Sequence, residues 1–180
     1  MTDEAVNTGE AQAAADDNSI HLVIQRIYAK DMSFEAPNLP QLFLEEYKPE
    51  IQVSLQSRAR SVAEEVYEVV MKVTVTAKSG EQTAFIAEVD YAGLFGLRCN
   101  DEAEKQKVLG AYCPNVLYPY AREAVSEMAA RGGFPQVLLA PVNFDKLYAD
   151  SQANQQTEGQ AQEQAPVSDD GIKFEQAPQV

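Results

Sequence analysis

The sequence predicts an α+β fold, in which a four-stranded antiparallel sheet carries helices packed on one face. The first half of the chain holds four segments with strand signals. The first is rich in β-branched and aromatic residues, and in the other three apolar and polar residues alternate, the period of a strand with one buried face. Short links between most of these segments favour an antiparallel sheet. Apolar residues at helical spacing follow in the second half, and strands followed by helices are typical of α+β domains.

The clearest strand pattern lies in residues 66–77. Every second residue from Tyr67 to Val75 is apolar, and mostly polar residues lie between them. Ser79 and Gly80 are suited to a hairpin turn into the next strand. The predicted strands are residues 20–29, 51–57, 66–77 and 83–91.

Three helices are expected after the strands. Asn100 or Asp101 is suited to cap the first helix, because its side chain accepts a hydrogen bond from a free backbone N–H group. Pro119 either kinks the second helix or marks its start, since proline removes a backbone hydrogen bond. The predicted helices cover residues 101–112, 115–131 and 143–149.

Charge and composition divide the chain into one domain and two tails. The formal net charge is −14, from 28 acids and 14 bases. Residues 1–18 hold five acids and no base, residues 151–180 hold five acids and one base, and residues 19–150 therefore carry about −5. We expect a folded domain over 19–150 between disordered acidic tails. The apolar-basic segment 171–174 is either a docking peptide or part of an ordinary tail.

The composition also disfavours several classes of partner. Nucleic acids and anionic membranes are bound mainly through Lys and Arg, so an acidic chain favours basic polypeptide segments instead. The apolar stretches are shorter than the roughly 20 residues that a membrane-spanning helix needs, and the acidic start does not resemble a signal peptide. We therefore expect a soluble cytoplasmic protein that binds other proteins, without nucleic acid and without direct membrane insertion.

No sequence motif indicates an enzyme, a metal site or a cofactor. His21 is the single histidine and lies in an apolar segment, which is typical of a structural residue. Cys99 and Cys113 are too few for a disulfide framework and too far apart for a CxxC motif, so both are expected to be packing residues. Nucleotide-binding and hydrolase motifs are missing, although two carboxylates brought together only in space would leave no such motif.

Residues 32–49 are unusually apolar for a segment with three prolines. Long irregular links are often functional, and two interpretations stay open. The apolar side chains either fold onto the core or form a groove with the end of the long helix. An apolar groove with a rim of carboxylates would suit an extended, partly basic polypeptide.

Several segments between residues 20 and 148 resemble the SecB family of bacterial protein-export chaperones. The most specific is GAYCPN at 110–115, which continues as LYPYARE at 117–123. The resemblance implies a homotetramer, a dimer of dimers, that works without ATP in the cytosol. Such a chaperone holds unfolded secretory precursor proteins in a translocation-competent state and delivers them to the translocase motor SecA. The other segments are IQRIY at 24–28, SFEAPN at 33–38, VYEVV at 66–70, VTVTA at 73–77, FPQ at 134–136 and LAPVNF at 139–144.

The resemblance also implies two binding surfaces. The contact with SecA maps onto an open sheet face at Asp31, Glu35, Ile86 and Glu88, and the i,i+2 spacing of Ile86 and Glu88 independently places these two on one face. Tyr47 stands where relatives often have Trp, which would reduce the apolar area of the client groove. The implied client groove is formed by Phe34, Leu39, Phe43, Tyr47, Val53, Leu55 and Met128.

Two alternative functions are distinguishable by experiment. A small α+β enzyme or ligand-binding domain would use the groove for a small apolar molecule, and that molecule would compete at the groove. An adaptor or inhibitor would bind one folded partner through the acidic sheet face and would show no preference for unfolded chains.

Overall fold

The computed structural model describes residues 19–159 and 172–176, which form an antiparallel sheet with helices on one of its faces. The strands are β1 (His21–Glu35), β2 (Pro49–Ala63), β3 (Val66–Ser79), β4 (Gln82–Arg98) and β5 (Ile172–Gln176), and the helices are α1 (Glu102–Lys107), α2 (Cys113–Arg131) and α3 (Phe144–Gly159). The sheet order is β1-β4-β3-β2-β5. The predicted four-stranded antiparallel sheet with helices on one face is confirmed in β1 to β4 and α2.

The strands are longer than the sequence pattern predicts. β1 continues to Glu35, so the irregular link begins after that residue and not at residue 32. Within the link, Gln41–Leu44 form a short 3₁₀ helix. β1 has register shifts between Ile24 and Arg26 and between Ala29 and Asp31. Because a bulge moves the following residues to the opposite face, simple alternation breaks down along β1.

The hairpin between β3 and β4 has the predicted turn. Ser79 pairs with Gln82, and Gly80 has a φ of +60°, a conformation that glycine adopts without steric cost. The β2–β3 hairpin instead places a non-glycine residue, Glu65, at a φ of 54°. Arg98 holds this turn in place, because its guanidinium binds both carboxylate oxygens of Glu65 at 2.9–3.0 Å.

The first two predicted helices form one continuous helical segment. Asp101 is its cap, with a side-chain oxygen that accepts hydrogen bonds from the backbone N–H groups of Ala103 and Glu104 at 2.8 and 3.4 Å. A π-helical turn at Val108–Tyr112 joins α1 to α2. Pro119 lies inside α2 and therefore does not mark the start of a helix.

The core lies between α2 and the face of β3 and β4 that it covers. Leu117, Ala121 and Val125 of α2 are fully buried, as are alternate residues of both strands. Cys113 is also fully buried, and burial raises the pKa of its thiol to about 12, so it packs as a neutral side chain. The buried strand residues include Val69, Met71, Val73, Val75, Phe85, Ala87, Val89 and Phe95.

At the C-terminal end, regular structure continues beyond residue 150, the predicted end of the domain. α3 begins next to its expected start, where the Asn143 side chain accepts a hydrogen bond from the Lys146 backbone N–H at 3.0 Å, but it continues to Gly159. β5 lies in the segment that the composition assigns to the C-terminal tail. The expected tail over residues 1–18 and the rest of the C-terminal tail lie outside the described residues.

Candidate functional site

An aromatic cluster lies where the link after β1 meets the segment after α2. Four rings surround Phe134, which is only 6% exposed. The ring centroids of Phe85 and Phe43 lie 4.9 and 5.4 Å from that of Phe134, and those of Tyr47 and Phe34 lie 5.5 and 6.4 Å from it. These separations and tilted ring planes are favourable for aromatic pairs. The five side chains are called the aromatic cluster below.

Two glycines make room for the aromatic cluster at the end of α2. A Cβ atom on Gly132 would lie 2.4 Å from the Phe34 ring, and a Cβ atom on Gly133 would lie 3.0 Å from the Phe43 ring. Gly133 also has a φ of +84°, which ends the helix in a left-handed conformation. The Gly132–Gly133 pair therefore both terminates α2 and allows the two rings to approach the backbone.

The 3₁₀ helix presents apolar side chains beside the aromatic cluster. Leu42 is 1% exposed and anchors this helix in the core, whereas Phe43 and Leu44 are 52% and 89% exposed. An anchored backbone with two exposed apolar residues is suited to bind apolar side chains of another polypeptide. The surface formed by Phe43, Leu44 and the accessible part of the aromatic cluster is called the apolar surface below.

The structure brings together some of the seven expected groove residues and separates others. Phe34, Phe43 and Tyr47 share contacts with Phe134. Val53 lies in the same row of strand positions as Phe34, but β4 and β3 lie between them, which corresponds to about 14 Å at the usual strand spacing. The remaining three pack against the core, where Leu39 and Met128 are half-buried and Leu55 is 1% exposed.

Sequence reasoning missed the residue at the centre of this cluster. Phe134 and Phe85 were not among the expected groove residues, although Phe85 contacts both Phe34 and Phe134. The sequence did contain a signal for Phe85, because the alternation of the predicted strand 83–91 places it on the apolar face. The position of Phe134 depends on the turn at Gly132 and Gly133, which sequence pattern alone does not place in space.

The opposite face of the sheet carries the four residues expected to contact a partner motor. Strand register pairs Glu35 with Ile86, Ser33 with Glu88, and Asp31 with Asp90. Directly paired residues of antiparallel strands share a face, so Asp31, Glu35, Ile86 and Glu88 lie together on the face away from α2. This face is called the open face below.

Some carboxylates of the open face already form hydrogen bonds or ion pairs within the chain, and others form no ion pair among the described residues. Glu88 accepts a hydrogen bond from Thr74 at 3.1 Å and forms an ion pair with Lys72 at 3.3 Å. Within the described part of the chain, Asp31 and Glu35 form no ion pair and both are exposed. These two carboxylates are therefore the ones most available to a basic partner.

A buried carboxylate, Glu68, organises the neighbouring part of the open face. Glu68 is 4% exposed, accepts a hydrogen bond from the Tyr28 hydroxyl, and binds Lys30 at 2.9 Å and Arg60 at 2.6 Å. Burial raises the pKa of the Glu68 carboxyl, but these three hydrogen bonds outweigh burial and lower it to about 2. The network was not predicted, because it depends on the register that places Arg60 opposite Glu68.

The β2 edge of the sheet is occupied by the C-terminal strand. β5 pairs antiparallel with Val53–Ser57 and places Phe174 opposite Leu55 and Gln176 opposite Val53. Two of the expected groove positions therefore lie beside a segment of the same chain.

Other kinds of site were sought over the described ranges 19–159 and 172–176. No group of three or more His, Cys, Asp and Glu residues there is arranged to hold a metal ion. No helix in these ranges is long and apolar enough to cross a membrane.

Comparison with known proteins identifies close similarity to one family. The family model described as preprotein translocase subunit SecB matches residues 15–155. A protein-export protein SecB of Stutzerimonas stutzeri (strain A1501) is 44% identical over 161 residues, which cover 89% of this chain and 97% of the relative. Among solved structures, a SecB-like chaperone of Mycobacterium tuberculosis in complex with a ChAD peptide from an antitoxin matches with a TM-score of 0.57 and 17% identity, covering 67% of this chain and 90% of that chain. At that identity, the structural match supports the fold.

Proposed function

Because this chain belongs to the SecB family and is a chaperone of protein export, we propose that it holds unfolded secretory precursor proteins without ATP and delivers them to the translocase motor SecA. The observation that carries this proposal is the apolar surface, on which a buried Leu42 anchors the exposed Phe43 and Leu44 beside the aromatic cluster. Such a surface offers apolar contacts to extended chains of many sequences.

Client binding on the apolar surface would be driven by apolar burial. At about 25 cal/mol per Å² of buried apolar area, covering a side chain such as Phe43 or Leu44 contributes on the order of 1 kcal/mol. A folded protein has already buried its apolar side chains, so the surface selects unfolded chains. The exposed Phe43 and Leu44, with the buried ring of Phe134 behind them, offer apolar contacts that do not depend on one particular client side chain.

Holding on this surface is passive in the proposed mechanism. Apolar contacts form and break without a chemical step, so neither ATP nor another cofactor is required for capture. We propose that the protein acts without catalysis and that release follows from transfer to a partner.

We propose that transfer uses the open face. Glu35 pairs directly with the half-buried Ile86, and the exposed Asp31 lies further along β1 on the same face, a combination that suits a basic partner surface with an apolar contact. Because the open face and the apolar surface lie on opposite faces of the sheet, SecA and a client are able to bind at the same time.

We also propose that the protein is a cytoplasmic homotetramer, a dimer of dimers. Support comes from β1, an edge strand of the sheet on which Val23, Ile24 and Met32 are 61%, 44% and 49% exposed. Several copies of the apolar surface in one assembly would bind one long client through linked sites. Such multivalency gives tight holding from weak local contacts.

The proposal is tested by following the refolding of a slow-folding precursor without ATP. The precursor is diluted from denaturant with or without the protein, and refolding and complex formation are recorded. We expect stoichiometric protein to arrest refolding, whereas the same precursor does not bind once it has folded. Unhindered refolding without a complex would contradict the proposal, and binding of one folded partner only would instead identify an adaptor.

A further inference from the structure

The C-terminal strand covers an edge that is otherwise suited to bind another polypeptide. Without β5, β2 would be an edge strand of the sheet with unpaired backbone N–H and C=O groups over Val53–Ser57. Such an edge binds extended segments by adding a strand, and the added strand gains backbone hydrogen bonds whatever its sequence. The chain's own segment occupies this position at the part of β2 that also holds two expected groove residues.

The sequence of β5 has the chemistry proposed for a client segment. Ile172 and Phe174 alternate with the charged Lys173 and Glu175. Lys173 is also the single base in residues 151–180, among five acids. A short extended segment with alternating apolar residues and a basic residue is what an apolar groove with an acidic rim is suited to hold.

The connection between α3 and β5 gives this segment an advantage over a free peptide. α3 ends at Gly159 and β5 begins at Ile172, so residues 160–171 join the two. A short connection of this kind sets an effective concentration on the order of mM at the β2 edge. A strand of only five residues can therefore occupy the edge, although a longer client that binds at several places is able to displace it.

We propose that β5 is an intramolecular competitor that occupies the β2 edge until an extended client segment replaces it. This inference rests on the proposed client holding and adds a second part to the client site, the backbone edge of Val53–Ser57. A competitor in the same chain divides the intrinsic affinity by a simple factor, because the apparent Kd equals the intrinsic Kd divided by the fraction of sites that the competitor leaves free. Short or weakly apolar peptides are then excluded, whereas long unfolded chains bind.

The test compares two full-length variants that carry no change in charge. Ile172→Ser with Phe174→Pro removes both apolar residues of β5 and a backbone N–H group that a paired strand uses. The control, Ala165→Pro with Val167→Ser, places the same residue types in the tail outside β5. Backbone hydrogen exchange is measured over residues 53–57, and the Kd for an unfolded precursor is measured for each variant and the parent protein.

We expect exchange over residues 53–57 to become about tenfold faster or more in the β5 variant, because backbone groups lose their partners. The Kd for the precursor should fall about three- to tenfold in that variant and remain at the parent value in the control. Faster exchange with an unchanged Kd would mean that β5 docks without competing, and would overturn the proposal while client holding stands.

Equal rates of backbone hydrogen exchange over residues 53–57 in the β5 variant and the control would also overturn the proposal. Such a result would mean that β5 is not paired with β2 in solution. If neither the parent protein nor the variants bind the precursor, the proposed function itself fails, and competition by β5 fails with it.

Discussion

The position of the aromatic cluster depends on single residues at the end of α2. At Gly132, a Cβ atom would lie 2.4 Å from the Phe34 ring, so any other residue would force that ring to move. Phe134, two residues further, then contacts four rings from β1, the link and β4. One residue after a glycine turn thereby joins three separate parts of the chain.

Substitution of Phe134 by Ala should strongly destabilise the fold. Phe134 is 6% exposed, and removal of a buried phenyl ring costs about 3–5 kcal/mol. Leu138→Ala is the matched control, because Leu138 is 79% exposed and its loss should change stability by less than about 0.5 kcal/mol. Urea unfolding of both variants checks the difference, and similar midpoints would show that Phe134 is not a central contact.

Glu68 should make the stability of the protein depend on pH at the acid end. Its folded-state pKa of about 2 lies below the ordinary value of 4.5, so its contribution is present above pH 4.5 and is lost as the pH falls through about 2. Arg60 is 67% exposed, which weakens its part of the interaction, and we expect a contribution of about 1–2 kcal/mol.

Urea unfolding at a series of pH values tests this expectation. Glu68→Gln should be less stable than the parent protein at pH 6, and the difference should disappear near pH 2. Glu50→Gln removes an exposed carboxylate and is the control. A stability difference for Glu68→Gln that stays constant between pH 6 and pH 2 would show that the Glu68 network contributes little.

At the scale of elements, the sequence pattern predicts the order of strands and helices and the two faces of the sheet. The predicted strands are too short in places where backbone pairing with a neighbouring strand decides the conformation and the alternation of apolar and polar residues does not. The second half of β2, residues 58–63, is exposed and has no apolar alternation, yet it pairs with β3 with one register shift between Ser61 and Ala63. β4 continues past Gly93 and Gly96, which disfavour strands locally, because both of its neighbours pair with it there.

The candidate site is less predictable than the strands and helices, because it too depends on contacts between distant parts of the chain. The family resemblance implied Phe34, Phe43 and Tyr47 as groove residues, and in the structure their rings all lie near that of Phe134. Strand spacing placed only Ile86 and Glu88 on one face, whereas Asp31 and Glu35 came from the resemblance. Phe134 and the Glu68 network required a turn and a register that only the folded chain provides. The sequence pattern therefore did not predict these contacts, which join residues distant in sequence.

The packing of α3 on the π-helical turn is an element-scale contact that depends on Gly110. A Cβ atom on Gly110 would lie 2.5 Å from Cε2 of Tyr148. Gly110→Ala should therefore displace α3 and lower the free energy of unfolding by about 1–3 kcal/mol. Tyr148→Ala in the same chain should relieve the overlap, so Gly110→Ala should cost less in that background. Equal costs in both backgrounds, measured by urea unfolding, would contradict this account of the contact.

For the whole molecule, the account predicts that the two faces of the sheet act separately. Asp31→Lys should weaken binding to SecA by about tenfold or more, because it reverses an exposed carboxylate without a partner among the described residues. Holding of unfolded precursor should be unchanged. Substitution of Asp31 is a more specific test of the open face than substitution of Glu88, because Glu88→Lys would also place a second lysine beside Lys72.

The control for this prediction is Glu104→Lys, which makes the same change in charge on an exposed residue of α1. Binding of each variant to SecA is measured at low and at physiological salt, because electrostatic contacts weaken with ionic strength. If Asp31→Lys and Glu104→Lys bind SecA equally well, the proposed role of the open face is wrong.

The central claim is that unfolded clients bind the apolar surface, and the most direct measurement is the affinity of one unfolded precursor for a variant of that surface. Phe43→Asp with Leu44→Asp changes two exposed residues, so the fold should be retained, and the Kd should rise about tenfold or more. Leu138→Asp, which changes another exposed apolar residue, should leave the Kd unchanged. An unchanged Kd for the Phe43 and Leu44 variant, in a protein that still unfolds cooperatively, would show that clients bind elsewhere.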